Sequence, residues 1–138
     1  MNLSNATELY INNKDVNEVR LNNNLIWSKY FQPNTNGLVM FIDGSNPDSY
    51  PGSGNTWYDI SGNNHNISLG STVSYTSSFG GVLTFPENGN GYGRNTSMNL
   101  SSSNYTVITY VRKLSNSNNG RTVTAYQNNW LIGHHDDT

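Results

Sequence analysis

Asn occupies 25 of the 138 positions and Gly another 13, and together with Ser they interrupt the chain every few residues over most of its length. An amphipathic helix needs apolar residues at i, i+3, i+4 and i+7 sustained over about a dozen positions. No window supplies that pattern, and strong helix formers are few. What remains between the breaks is short, β-branched and aromatic. "GLVMFID" (37–43) is a nearly continuous apolar run, as expected for a strand buried on both faces. "GVLTFP" (81–86), "YTVITYVRK" (105–113), "RTVTAY" (121–126) and "NWLIG" (129–133) also read as strands. Short strands between Asn, Gly and Ser turns predict an all-β sandwich or barrel.

The first thirty or so residues carry an internal repeat with an offset of ten, "LYINNKDV" (9–16) over "VRLNNNLI" (19–26). Each copy is a short run, an Asn-Asn pair and a second short run. Asn tolerates the left-handed backbone that type I′ turns require, so Asn12-Asn13 and Asn22-Asn23 predict two tight hairpins. Residues 1–31 therefore read as a small β-meander, with its hairpins ending at Trp27. Its apolar residues are Leu9, Ile11, Val16, Val19, Leu21, Ile26 and Trp27, too few to stabilise it alone. These residues are the candidate assembly face, which packs on the rest of the chain, on a copy of itself or on a larger assembly. "FQPNTNG" (31–37) contains the expected linker, at 32–36, into a main domain over 37–138.

Composition removes several function classes. Only 12% of residues are charged, the net charge is −2, and the seven basic residues form no stripe, so nucleic acid is not an expected partner. The absence of cysteine excludes disulfides, thiol catalysis and Cys-ligated zinc. No apolar window approaches the roughly 18 residues of a membrane span. The start, "MNLSNATELYINN", has neither a basic n-region nor an apolar h-region, so it does not read as a signal peptide. Sequons at Asn2, Asn5, Asn66, Asn95, Asn99 and Asn104 are what chance gives at this Asn content.

From Gly37 onward the chain resembles a known family. "GLVMFIDGSNPDSYPGSGNTWYDISGNNHNISL" is similar to the opening of the concanavalin A-like (laminin G-like) jelly-roll domains: a strand ending in Asp, a Pro/Ser/Gly loop, then W-x-D-x-S-G-N and a further strand. "GGVLTFPENGNGY" and "YTVITYVRKLSNSNNGRTVTAYQNNWLIG" match later elements in the same order. The likeness covers about 37–133. It implies a jelly-roll sandwich, whose usual second half of strands is missing here. A fragment of a longer protein, strands supplied by a neighbour and a minimal version of the fold are the three explanations. Compact, Asn-rich domains of this style, and the segment "ELYINNKDVNEV" with "LNNNLIW", also resemble parts of phage virion structural proteins.

The chemistry-bearing residues are sparse. Glycoside hydrolysis needs two carboxylates flanking the bond. The three Glu are Glu8 and Glu18 in the meander and Glu87 in a Gly/Asn turn, and Asp43, Asp48 and Asp59 fit turn roles. The stretch "WYDISGNNHN" (57–66) superficially resembles a calcium loop, but Gly62 falls at the fourth position from Asp59, not the sixth, and only one carboxylate is present. Trp57 and Ile60 read as packing residues, Asp59 and Ser61 as partners of local backbone, Gly62-Asn63-Asn64 as a tight turn, and His65 as an exposed turn residue. Calcium held by distant loops is the one cofactor reading left open, and otherwise none is expected. "GHHDDT" (133–138) places only two ligands on each strand face, short of a tetrahedral site. Tyr50, Tyr58, Tyr75, Tyr92 and Tyr126 lie in or beside loops where a sugar could stack, whereas Trp57 and Trp130 sit in strand-like runs. "GSGN" and "GNGYG" lack the helix and Lys of a phosphate cradle.

The expectation is thus a non-enzymatic virion structural protein of a phage, in a tail, fibre or capsid-decorating position. Its partners would be other virion proteins, copies of itself and cell-surface glycans. The alternative is a carbohydrate-binding module on a bacterial surface. An enzyme whose catalytic half lies outside this chain is the third reading.

Overall fold

The structure, a computed structural model, describes residues 10–11, 14–22, 24–86, 91–100, 104–112, 120–124 and 131–134. It is all-β, built from small antiparallel sheets, and the only helical element among the described residues is one 3-10 turn, Ser78–Gly80. No helix among them is long and apolar enough to cross a membrane. The chain divides into two compact units, Met1–Ser97 and Met98–Thr138, so the expected 32–36 linker lies inside the first unit.

The N-terminal repeat forms two separate hairpins. Strands β1 (Tyr10–Ile11) and β2 (Lys14–Asp15) pair with Ile11 opposite Lys14. Strands β3 (Glu18–Leu21) and β4 (Asn24–Ser28) pair with Leu21 opposite Asn24, and Asn22 between them has φ 49°, the left-handed turn conformation expected of it. Val19 faces Trp27 and Arg20 faces Leu25, so Ile26 has no cross-strand counterpart and forms a bulge.

In the rest of the first unit, β5 (Thr56–Trp57), β6 (Ile67–Leu69) and β9 (Gly93–Arg94) make a three-stranded sheet in the order β5-β6-β9. Strands β7 (Ser74–Thr76) and β8 (Val82–Thr84) make a hairpin. Its turn passes through Gly81 at φ 124°, where a Cβ would stand 2.6 Å from the Gly44 carbonyl oxygen, so only Gly lets this turn seat against residues 43–45. Buried apolar residues are few among those described: Trp27, Tyr50 and Leu69. Aromatic contacts extend this small core, Tyr50 with Tyr75 at 5.2 Å and Trp57 with Phe85 at 6.4 Å between ring centroids.

Among the described residues of the second unit there is one antiparallel pair, β10 (Gly120–Thr124) with β11 (Leu131–His134). Both fall where "RTVTAY" and "NWLIG" predict strands. Residues 104–112 form no strand and are exposed throughout, Tyr110 at 96%.

The 37–43 run departs from expectation in an instructive way. It is half-buried rather than buried on both faces, and it pairs with no strand. Its backbone is bonded instead mainly to side chains of the loops that follow. Phe41 N–H donates to Asp59 Oδ1 at 2.9 Å, and Asp43 N–H to Ser49 Oγ at 3.0 Å. Ser61 Oγ donates to the Val39 carbonyl at 3.2 Å, and Asn63 Nδ2 reaches the carbonyls of Leu38 and Val39 at 2.9 and 3.0 Å. Main-chain bonds add to these: Ile60 N–H donates to the Phe41 carbonyl at 2.8 Å, Asn46 N–H to the Asp43 carbonyl at 3.2 Å, and Leu38 N–H to the Thr35 carbonyl at 3.2 Å.

Candidate functional site

The stretch 57–66 is a clamp built around one carboxylate. Asp59 is 8% exposed. Its Oδ1 accepts the N–H groups of Phe41 and Ser61, and its Oδ2 accepts the Ser61 hydroxyl and the His65 N–H, all at 2.9 Å. Four donors satisfy the anion as fully as a small binding site would. Burial, the largest single influence, pushes this carboxyl up. The N–H groups of Phe41, Ser61 and His65, with the Ser61 hydroxyl, outweigh it, and Asp59 titrates below the ordinary 3.8. Asn66 anchors the other side, its Oδ1 accepting the Asp59 N–H at 2.9 Å, while Asn95 Nδ2 donates to the Asn66 carbonyl at 2.7 Å.

The sequence pattern is what makes this geometry local. Gly62 at φ 94° and Asn64 at φ 60° turn the chain sharply enough to bring the His65 N–H back to Asp59. Asp59 and Ser61 bond local backbone and Gly62-Asn63-Asn64 makes the turn, as the sequence predicts. Residues 38–43 complete the clamp. Sequence spacing gave no sign of that long-range half, because Asp59 and Phe41 are brought together only by the fold. His65 is half-buried rather than exposed, its Nδ1 3.3 Å from Ser97 Oγ.

A second cluster sits in the preceding turn. Ser49 is fully buried. Its Oγ donates to the Tyr58 carbonyl at 2.6 Å while accepting from Asp43 N–H. Asp43 Oδ1 accepts both the N–H and the hydroxyl of Ser45, the turn role expected of it. Beside this turn opens a cavity of about 210 Å³, lined in part by Gln32, Leu38, Phe41, Asn46, Asp48 and Ile60. Sequence reasoning missed it: Gln32 lies in what reads as a linker, and Asn46-Pro47-Asp48 reads as an ordinary turn.

Among the described residues no group of three or more His, Asp or Glu gathers as a metal site. Residues 135–138 of "GHHDDT", together with Tyr126 and Trp130, lie outside the described residues. Of the loop tyrosines, Tyr50 is buried and donates its hydroxyl to the Gly54 carbonyl at 2.8 Å, so its ring is not free to stack on a ligand. Tyr58 and Tyr92 are exposed, and the Arg94 guanidinium lies 5.9 Å from the Tyr92 ring centroid. Trp57 packs as expected, and its Nε1 is buried without a partner among the described residues.

The candidate assembly residues separate into two groups. Val19 and Trp27 pair across the β3–β4 hairpin, with Trp27 buried and Val19 half-buried, and Val16 is half-buried. Ile11, Leu21 and Ile26 are exposed at 58%, 63% and 53%, with Leu25 exposed beside them. Leu9 lies outside the described residues. Arg20 and Glu18 form an exposed ion pair at 2.9 Å on the same hairpin. No protein-family model matches this chain, and no curated protein and no solved structure matches it.

Proposed function

We propose that the chain is a non-enzymatic structural component of a phage virion, in a tail, fibre or capsid-decorating position. In this reading the N-terminal hairpins dock to the particle, and the strands after Gly37 belong to a concanavalin A-like sandwich that faces outward and adheres to glycans. The observation that carries the docking half is the exposure of Ile11, Leu21, Leu25 and Ile26 on two short hairpins. Isolated hairpins are marginal in water, and four large apolar side chains left in solvent on such hairpins favour a surface that is covered on assembly. The low charge and high Asn content suit a hydrated outer surface for the remainder.

Quantitative mass spectrometry of purified particles tests this reading. The chain should be present at a copy number fixed by particle symmetry, and its absence would sink the proposal. A glycan array tests the adhesive half separately.

A further inference from the structure

The cavity beside residues 38–43 is lined by Asn46, whose side-chain amide nitrogen no other described residue engages. Asn46 is only 6% exposed. Its Oδ1 accepts the Asp48 N–H at 3.0 Å, which fixes the amide and leaves Nδ2 as the free end. That Nδ2 has no acceptor among the described residues. The buried side-chain atom without a partner among the described residues is Trp57 Nε1, so Asn46 Nδ2 is a donor that solvent, or a ligand in the cavity, can still reach. Two acceptors share the same cavity. The Asp48 carboxylate has no hydrogen-bond partner among the described residues. Gln32 spends its Nε2 on Ser28 Oγ at 3.2 Å and keeps Oε1 open. The remaining wall includes the apolar side chains of Leu38, Phe41 and Ile60.

One donor, one neutral acceptor and one carboxylate beside an apolar wall complement a ligand with several hydroxyls and one C–H face. The carboxylate repels anions, which removes phosphate, sulfated sugars and acidic sugars. At about 210 Å³ the cavity is smaller than the roughly 300–1,000 Å³ of drug-sized sites, so it takes one small ring. We propose that it binds a single neutral pyranose residue. Asp48 and Gln32 accept from ring hydroxyls, Asn46 Nδ2 donates to a hydroxyl oxygen, and Leu38, Phe41 and Ile60 cover the C–H face. This deepens the glycan-adhesion half of the proposed function and does not depend on the virion half. A divalent cation is the competing occupant, since Asp48 supplies a hard oxygen ligand; the Asn46 NH₂ donor beside it argues against it.

The test is an NMR titration of the isotope-labelled full chain. Methyl glycosides of glucose, galactose, mannose and N-acetylglucosamine are added separately with EDTA present, and calcium chloride forms a further arm. At least one glycoside should shift the Asn46 side-chain amide and the Phe41 and Ile60 signals saturably, with millimolar affinity. Asn46→Asp keeps the acceptor for Asp48 N–H but removes the donor, and should weaken binding about tenfold. Asp48→Ala, at an exposed position, should do the same while leaving the rest of the spectrum in place. The inference is overturned if no glycoside saturates, if both variants bind like the parent, or if only calcium shifts these signals. A chain found in particles but binding no glycoside loses this inference alone. A glycoside binder absent from particles loses only the virion reading.

Discussion

At the scale of single residues, Asp59 and Ser49 each tie together segments that are distant in sequence, Asp59 to Phe41 and Ser49 to Asp43 and Tyr58. Asp59→Asn keeps the size of the side chain but replaces one acceptor oxygen with a donor, facing N–H and O–H groups that are donors themselves. The expected loss is about 2 kcal/mol or more, read by denaturant unfolding at neutral pH. The pH dependence follows from the depressed carboxyl. Its folded value lies below its unfolded one, so its stabilisation is complete above about pH 4, near the ordinary aspartate value, and is lost as pH falls through the folded value. The parent should therefore lose stability more steeply than Asp59→Asn on acidification below pH ~4, and parallel curves would contradict the assignment. Ser49→Ala leaves the Tyr58 carbonyl and the Asp43 N–H without their partner in a fully buried position. A cost of about 2 kcal/mol is expected, again from denaturant midpoints.

At the scale of elements, the β3–β4 hairpin is where folding can be told apart from the proposed docking. Leu21→Ser and Ile26→Ser change exposed side chains and should alter stability by no more than about 0.5 kcal/mol; under the proposed virion role they should also sharply reduce incorporation into particles. Trp27→Ala removes the buried member of the Val19–Trp27 pair, and should loosen the hairpin while leaving amide protection of Phe41 and Ile60 intact. Hydrogen exchange distinguishes these outcomes, and joint loss of both regions would contradict the separation. The hairpins were legible because an Asn-Asn pair between two short strand-like runs favours a tight turn, and Asn22 adopts the left-handed turn expected of it. The β10–β11 pair was legible from its β-branched composition. The 37–43 run was not. Apolar continuity marks it as extended, but whether an extended run bonds to a strand or to loop side chains depends on which acceptors the fold delivers, here Asp59 and Ser49. Residues 104–112 show the same limit: β-branched content gives a strand only where a neighbour supplies a ladder. The cavity at Asn46 was illegible for a related reason, since its walls come from separate turns.

At the scale of the whole molecule, charge is as scarce as buried apolar surface. With 12% charged residues and a net of −2, duplex DNA should give no mobility shift at physiological salt; salt-sensitive binding would contradict the composition argument. Scarce charge also removes the usual means of keeping copies apart, because exposed strand edges are commonly guarded by Lys, Glu or Pro. The clamp around residues 39–43 takes over that task. Phe41 and Asp43 point their N–H groups, and Val39 and Phe41 their carbonyls, along one edge, since alternate residues of an extended run share an edge. Asp59, Ile60, Ser61 and Ser49 occupy that edge, so one edge of this apolar run is covered from within its own chain. The cover is only as durable as the Asp59 carboxylate. Light scattering that rises as acid protonates Asp59, and earlier for Asp59→Asn than for the parent, would show that this covered edge limits self-association.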